Sequence, residues 1–209
     1  MPTEIDFKNV LTGTVRFSYL TVFKPRANNA KENNPLEYSV VLLLPKKPEG
    51  KATSPDQTIA GIREAIKACA VAKFGDGVKG LKSPLKDGDA EIDGAEPKAP
   101  GYWYMTAWAS ADHPPTLIDG SKATVTSGWN SGDYGRAKLS FFAYDRKSGK
   151  GVSVGLRAIQ FLYKGESLGG GGNNADGFDE VKDADSGSAG SGADEGRMSP
   201  DEYDPFADE

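Results

Sequence analysis

The sequence contains few of the side chains on which disulfides, metal sites and catalytic dyads depend. It has one cysteine, Cys69, and one histidine, His113, among its 209 residues. A single cysteine excludes an intramolecular disulfide framework and a cysteine-based zinc site. General-base dyads draw mostly on histidine, and a lone histidine followed by two prolines is typical of a solvated or structural residue. We therefore predict neither catalysis nor a cofactor.

Long apolar runs and familiar targeting or nucleotide motifs are also missing. The longest apolar run, at 40–44, stops at Pro45 and is far shorter than the roughly 20 residues that span a bilayer. Residues 1–10 lack the basic and apolar regions of a secretory signal, and no G-x-x-x-x-G-K-[ST] phosphate loop occurs. We expect a cytoplasmic protein without a membrane partner.

A cluster of carboxylates at 87–94 (DGDAEIDG) superficially matches a calcium loop. Such a loop requires glycine at its sharp turn, where this sequence has Ile92. A solvated acidic loop is therefore favoured. The rival interpretation is a metal-dependent nuclease that uses Asp87, Asp89 and Asp93.

Charge is distributed unevenly along the chain. Residues 1–165 carry a net charge of +6, whereas residues 166–209 carry −11 and include a run of four glycines. Too few apolar side chains follow residue 165 to offset an ordering entropy of about 1–2 kcal/mol per residue. We predict a folded domain over 1–165 and a disordered acidic tail over 166–209. The basic domain favours a polyanionic partner.

The folded part is predicted to be mainly β. Segments rich in β-branched and aromatic residues predict strands at 12–23, 37–44, 101–110, 135–145 and 152–163, and the last two are expected to form a hairpin. About five strands in such a domain favour a small Greek-key barrel, the OB-fold. A β-sandwich is the main rival, because periodicity alone does not separate the two.

One helix is predicted to interrupt the strands. It is expected to begin at Pro55 after the N-cap Ser54 and to stop at Gly75. Its apolar stripe, expected to close one end of the sheet, comprises Ile59, Ile62, Ile66, Cys69 and Ala70. The glycine-, proline- and aspartate-rich residues 76–100 are interpreted as a long surface loop.

Alternation along residues 102–110 separates two faces of a strand. The face predicted to join the core comprises Trp103, Met105, Ala107 and Ala109. The other face mixes large rings with polar groups and comprises Tyr102, Tyr104, Thr106, Trp108 and Ser110. Rings on a wet face can stack on unpaired bases, at about 1–3 kcal/mol per base. Packing against the helix or another chain explains this strand equally well.

The hairpin favours the stacking interpretation. One face of its first strand interleaves cations and rings, in the order Arg136, Lys138, Ser140, Phe142, Tyr144 and Arg146. Small and apolar residues form the opposite face: Ala137, Leu139, Phe141 and Ala143. Cations near phosphates and rings near bases are the two components of a groove for single-stranded nucleic acid.

The sequence therefore predicts two sets of binding residues. Bases are expected to stack on Tyr102, Tyr104, Trp108, Phe142 and Tyr144. Phosphates are expected to contact Arg16, Lys24, Arg26, Arg136, Lys138 and Arg146. Arg16 would continue the groove along a polar face that it shares with Thr12, Thr14 and Ser18. Trp129, in a flexible segment, is either a core plug or a ligand stacker.

Several motifs occur together in one order: residues 127–129 (SGW), 139–144 (LSFFAY), 151–161 (GVSVGLRAIQF) and 165–170 (GESLGG). In this combination the chain resembles a phage-encoded family of OB-fold single-stranded DNA-binding proteins. The resemblance implies sequence-independent binding of single-stranded DNA in the host cytoplasm and a role in phage DNA replication or recombination. It also implies that the acidic tail recruits replication proteins and competes with DNA.

The end of the chain carries rings in an acidic setting. Its Asp204-Pro205-Phe206 is similar to the acidic tip of bacterial single-strand binders, although here three residues follow the phenylalanine, whereas those tips usually end at it. The predicted partner-binding residues are Tyr203, Asp204, Pro205 and Phe206.

Two alternatives to single-strand binding stay open, as does homo-oligomerisation. The aromatic face would be a subunit interface in a protein–protein interaction or phage assembly module with no nucleic-acid role. Preference for double-stranded DNA is disfavoured, because paired bases hide the faces on which rings stack.

Overall fold

The computed structural model describes residues 5–29, 31, 33–47, 55–90, 99–147 and 149–168, and for residues 55–57 it describes the backbone alone. Within these residues the chain forms one helix, α1 (Pro55–Phe74), and eight strands. The strands are β1 (Val10–Leu11), β2 (Val15–Ala27), β3 (Leu36–Pro45), β4 (Lys86–Asp87), β5 (Tyr102–Ser110), β6 (Thr116–Ile118), β7 (Tyr134–Arg146) and β8 (Gly149–Tyr163).

Five long strands close into a ring. Going round it, β2 pairs with β3, β3 with β5, β5 with β8, β8 with β7, and β7 again with β2. Every pairing is antiparallel except that of β5 with β8, which meet in parallel at Trp108 and Gly155. A closed five-stranded Greek-key ring is the OB-fold architecture, so the predicted fold is confirmed.

The inward faces of the strands form one core. Met105 and Ala107 of β5 and Leu139 and Phe141 of β7 are fully buried, as alternation predicted. Trp103 is only partly buried. Its ring lies between the Lys46 ammonium at 4.8 Å and the Arg63 guanidinium at 4.7 Å.

The helix packs on β3, β7 and β8 with the predicted apolar stripe, of which Ile59, Ile62, Cys69 and Ala70 are buried. Gly75 ends it with φ of 79°, and the Gly75 N–H donates to the Val71 carbonyl at 2.8 Å. Burial raises the pKa of the Cys69 thiol. The proposed N-cap, Ser54, lies outside the described residues.

The predicted surface loop 76–100 is partly wrong. β4 pairs with β5, Lys82 bridges to Gly151 of β8, and Leu85 is buried. β4 pairs with β5 through backbone groups and is only two residues long, so its side chains show no alternating pattern from which the strand could be predicted. Residues 91–98 lie outside the described residues.

An aromatic cluster fills the barrel near the end of β8. The ring of Phe161 stacks on Trp129 at 4.8 Å and on Phe23 at 5.9 Å, and it meets Phe17 edge-on at 5.6 Å. The Lys164 ammonium lies 4.2 Å from the centre of the Trp129 ring. Trp129 is half-buried and packs against the core, which favours the core plug over the ligand stacker.

Contacts with the barrel extend past residue 165. The carboxylate of Asp133, 3% exposed, accepts hydrogen bonds from the Gly165 N–H at 3.0 Å and the Lys164 ammonium at 3.0 Å. The Leu168 N–H donates to the Ser131 carbonyl at 3.1 Å. Residues 166–168 therefore contact the barrel, just beyond the boundary predicted at residue 165. The rest of the predicted tail, 169–209, lies outside the described residues.

In the part of the chain that the structure describes, no helix has the length and apolar character needed to cross a membrane.

Candidate nucleic-acid interface

A groove of about 580 Å³ lies on the outside of the barrel, where β5, β8 and β7 run side by side beneath the loop that joins β2 to β3. It brings together four of the predicted site residues: Trp108, Phe142, Tyr144 and Arg146. The other lining residues are Asn28, Lys31, Glu37, Ala109, Ser110, Ser153 and Val154.

The register of the three strands sets the shape of the groove. Trp108 of β5 pairs with Gly155 of β8, and Phe142 of β7 pairs with Ser153 of β8. The backbones of β5 and β7 therefore lie about 10 Å apart, with β8 between them. Rings form both walls, and the outward side chains of β8 at the floor are small.

A glycine, Gly155, lies at this floor opposite Trp108. A Cβ atom at Gly155 would lie 2.6 Å from the Ser140 Oγ and 3.9 Å from the ring of Phe142. Any larger side chain on β8 at this point would therefore displace Ser140 and fill the space beside Phe142.

The rings of the groove are accessible to solvent. Phe142 is 49% exposed, and Trp108 and Tyr144 are half-buried. A large apolar ring exposed beside cations is typical of a binding surface rather than of a solvated sheet. The burial of β7 alternates as predicted from Arg136 to Phe142, whereas Ala143 and Tyr144 are both half-buried.

Two cations lie over two of these rings. The Lys31 ammonium is 5.1 Å from the centre of the Trp108 ring, and the Arg146 guanidinium is 5.4 Å from the centre of the Tyr144 ring. Lys31 also forms an ion pair of 2.5 Å with Glu37. The groove thus combines positive charge with flat apolar surface.

Tyr104 was expected on the same wet face as Trp108, and that expectation is wrong. It is 4% exposed and packs with Val41, Leu43 and Ala99, because β4 pairs with β5 at this position. Tyr102 is half-buried against the same cluster and does not line the groove. An outward-facing residue has been covered by an element distant in sequence.

The polar face expected around Arg16 is also wrong. Thr12, Thr14 and Ser18 are buried, and the Thr12 Oγ1 accepts a hydrogen bond from the Ala137 N–H at 2.9 Å. Arg16 donates to the carbonyls of Gly132 at 3.1 Å and Glu166 at 2.9 Å. Arg16 therefore ties the segment around Glu166 to the barrel instead of continuing the groove.

The four remaining predicted cations are exposed but do not line the groove: Lys24, Arg26, Arg136 and Lys138. Arg26 pairs with Glu37 across β2 and β3, at the rim. Lys138 and Arg136 share the outward face of β7 with Phe142. Lys138 lies four residues, or about 13 Å, along the strand from that ring. Arg136 and Lys138 therefore extend the positive charge along β7 beyond the groove.

Two exposed cations of this surface, Arg157 and Lys31, were not predicted from the sequence. Arg157 is exposed on the outward face of β8, in line with Ser153 and Gly155. It lies at the bulge where β8 pairs with Lys138 and Leu139 of β7. Alternation along β8 would have revealed it. Lys31 lies in the turn between β2 and β3, where no periodicity signals its position over Trp108.

The acidic loop is held by a lysine. Lys46 forms ion pairs with Asp87 and, at 2.7 Å, with Asp89. Hydrogen bonds from Lys46 hold the pKa of both carboxyls below the ordinary value, and the same bonds raise the pKa of Lys46. Within the described residues no cluster of three potential metal ligands occurs, and Asp93 lies outside them. This arrangement favours a structural role.

The ring topology and the open groove define an OB-fold protein with an aromatic, basic outer surface. Residues 8–188 match the family described as "Enterobacter phage Enc34, ssDNA-binding protein". This chain belongs to that family, which confirms the resemblance seen in the sequence.

Similar proteins come from phages. The chain is 36% identical over 106 residues to protein p50 of Acyrthosiphon pisum secondary endosymbiont phage 1, a match that covers 48% of this chain and about half, 54%, of that protein. The single-stranded DNA-binding protein from bacteriophage Enc34, solved in complex with single-stranded DNA, superposes with a TM-score of 0.63 at 20% identity, over 77% of this chain and 89% of that one. The single-stranded DNA-binding protein gp2.5 of bacteriophage T7 superposes with a TM-score of 0.54 at 16% identity, over 79% and 97%.

Proposed function

We propose that this protein binds single-stranded DNA without sequence preference, in the groove between β5 and β7. The observation that carries the proposal is the pair of ring walls, Trp108 on one side and Phe142 with Tyr144 on the other, each with a cation over a ring. The chain's membership of a phage single-strand-binding family supports the same conclusion.

The rings and cations have separate roles in this proposal. Bases stack on Trp108, Phe142 and Tyr144, and stacking tolerates any base because each has a flat π face. The phosphates contact exposed cations in and beside the groove: Lys31, Arg146, Arg26, Lys24, Lys138, Arg136 and Arg157. Tyr104 and Arg16 are left out, because the first is buried and the second is bound to backbone carbonyls.

A titration of the full chain with single- and double-stranded oligonucleotides of equal length tests this function. We expect tight binding of the single strand, weaker binding of the duplex, and a log affinity that falls linearly with log salt. No binding of the single strand at low salt would contradict the proposal and favour a protein–protein interface on this surface.

We further propose that the protein acts in phage DNA replication or recombination and that its acidic tail recruits replication proteins and competes with DNA. Tyr203, Asp204, Pro205 and Phe206, which lie outside the described residues, are the proposed partner-binding tip. The support is the charge contrast, +6 over residues 1–165 and −11 over 166–209. A tether of about 40 residues keeps the tail at high effective concentration.

Deletion of the tail tests the competition. The deletion should begin at residue 169 and keep Glu166 and Leu168, because both hydrogen-bond to the barrel. We expect the truncated protein to bind single-stranded DNA more tightly than the full chain at low salt, with a gain that shrinks as salt screens the charges. Equal affinities at low ionic strength would contradict competition.

A further inference from the structure

One carboxylate lies inside the proposed groove among cations that would otherwise face DNA. Glu37, near the start of β3, has a side chain only 13% exposed and pairs with Lys31 at 2.5 Å. It also accepts a hydrogen bond from the Asn28 Nδ2 at 2.8 Å, and it lies beside Arg26 in the β2–β3 ladder. A negative charge at this place opposes the binding of a polyanion unless it has another role.

Glu37 holds the loop between β2 and β3 at the groove. The loop's own backbone is hydrogen-bonded, from the Lys31 N–H to the Asn28 carbonyl at 3.1 Å and from the Asn28 N–H to the Pro35 carbonyl at 2.9 Å. This frame directs the Lys31 side chain to Glu37 at one side and to the Trp108 ring at the other. A free lysine side chain would sample many rotamers, so the carboxylate is what keeps its ammonium in place.

The consequence is that a face of Trp108 is covered before any ligand arrives. A base that stacks on that face must displace an ammonium 5.1 Å from the ring centre, and the ammonium is anchored by a carboxylate. A phosphate can replace Glu37 as the partner of Lys31, because both are oxyanions. A base that arrives without a phosphate offers the ammonium no replacement.

We propose that Glu37 is a positioning residue that closes the Trp108 face with Lys31 in the free protein, and that a DNA strand opens the face by exchange of partners. A phosphate forms an ion pair with Lys31 in place of Glu37, while the neighbouring base stacks on the Trp108 ring. The inference rests on the proposed function of the groove. The Trp108 face therefore requires a base and a phosphate to bind together.

Neutral-backbone DNA separates this exchange from simple charge repulsion. The probe is a methylphosphonate oligothymidine, compared with the ordinary phosphodiester strand of the same length. The proteins are the full chain, Glu37→Gln and Lys31→Met. Glu64→Gln, on the exposed face of α1, is the matched control for loss of one negative charge. Thermal melting checks that each variant folds.

We expect Glu37→Gln to bind the neutral strand about two- to fivefold more tightly than the full chain, because the ring contact and the ion pair that hold Lys31 are each weak at a surface. Lys31→Met should show opposite effects, with tighter binding of the neutral strand and weaker binding of the charged one. Glu64→Gln should leave the neutral strand unaffected.

A gain from Glu37→Gln for the charged strand alone would overturn the exchange, since it would show that Glu37 acts only by repulsion. Failure of the neutral strand to bind any variant would also overturn it, because uncovered rings should hold bases. Both outcomes differ from failure of the proposed function, in which the unmodified protein does not bind the phosphodiester strand.

Discussion

Two regions of the barrel use the same residue types for different purposes. Around Trp129 the ring stacks on Phe161 at 4.8 Å and is covered by Lys164 at 4.2 Å. Around Trp108 a ring is likewise covered by a lysine, Lys31, at 5.1 Å. Composition alone would give the two tryptophan regions the same role.

Their neighbours make the difference. Beside Trp129 the cation is tied to the buried Asp133 and to the carbonyl of Gly128, and other rings fill the space. Beside Trp108 the outward residues of β8 are Ser153, which lines the groove, and Gly155, which pairs with Trp108, so an open groove remains. A half-buried tryptophan under a lysine packs on the core where other rings surround it, and it lines an open groove where small residues leave room.

The two tryptophans should separate stability from binding. We expect Trp129→Ala to lower the free energy of unfolding by about 3 kcal/mol, in the range for large ring deletions from a core, with little change in DNA affinity of the folded protein. Trp108→Ala should weaken single-strand binding by about 1–3 kcal/mol, or roughly 5- to 150-fold. Both variants are measured by denaturant titration and by DNA titration. The comparison would be wrong if Trp129→Ala mainly weakened DNA binding and Trp108→Ala mainly lowered stability.

The floor of the groove offers a smaller and more local test. We expect Gly155→Ala to lower stability by about 1 kcal/mol, the low end of overpacking costs, because the added Cβ lies 2.6 Å from the Ser140 Oγ, and to weaken DNA binding because the methyl group and the shifted Ser140 side chain take up space at the floor. The double variant Gly155→Ala with Ser140→Ala should recover most of the affinity, since the crowding oxygen is gone. If the single variant binds normally, the floor does not shape the site.

Cations in or beside the groove should contribute to the salt dependence of DNA binding, whereas a cation bound to backbone carbonyls should not. Arg146→Ala should reduce the log–log salt slope of single-strand binding by about 0.7, and Arg136→Ala with Lys138→Ala by about 1.4. Arg16→Ala should leave the slope unchanged and lower the melting temperature, because Arg16 binds the Gly132 and Glu166 carbonyls. A changed slope for Arg16→Ala would return that residue to the groove.

The smallest effect on stability is expected from the ion pair of Lys46 with Asp89, to which we assign a structural role alone. Hydrogen bonds from Lys46 lower the pKa of Asp89, so the stability they add is present above the ordinary carboxyl pKa and is lost as pH falls through the lowered pKa. We expect Asp89→Asn to melt below the full chain at neutral pH and to converge with it in acid. DNA affinity should not change. Parallel melting curves at all pH values would exclude this ion pair as a source of stability.

The sequence predicted the fold well because the strands alternate. The burial of Met105, Leu139 and Phe141 and the exposure of Phe142 follow from period-two patterns that one strand contains by itself. The number of such strands and the one helix favoured a five-stranded barrel, but only the pairing of β7 with β2 and of β5 with β8 separates it from a sandwich.

The site was predicted only in part, because exposure depends on elements distant in sequence. Tyr104 lies on the outward face as expected, but it is covered where β4 pairs with β5, with Lys86 located 18 residues before Tyr104, and where Ala99 packs on it. Arg16 is covered by chain about 150 residues away, through its hydrogen bond to Glu166. No pattern within a strand reports such partners, and the same holds for Lys31, whose position over Trp108 depends on Glu37.

The most direct test of the groove is to map where a bound base lies. An oligothymidine carrying 5-iodouracil, irradiated in complex with the full chain and analysed by peptide mass spectrometry, should crosslink to peptides that contain Trp108 and the 142–146 end of β7. Crosslinks to the peptide of Trp129 instead, with none on β5 or β7, would contradict the account.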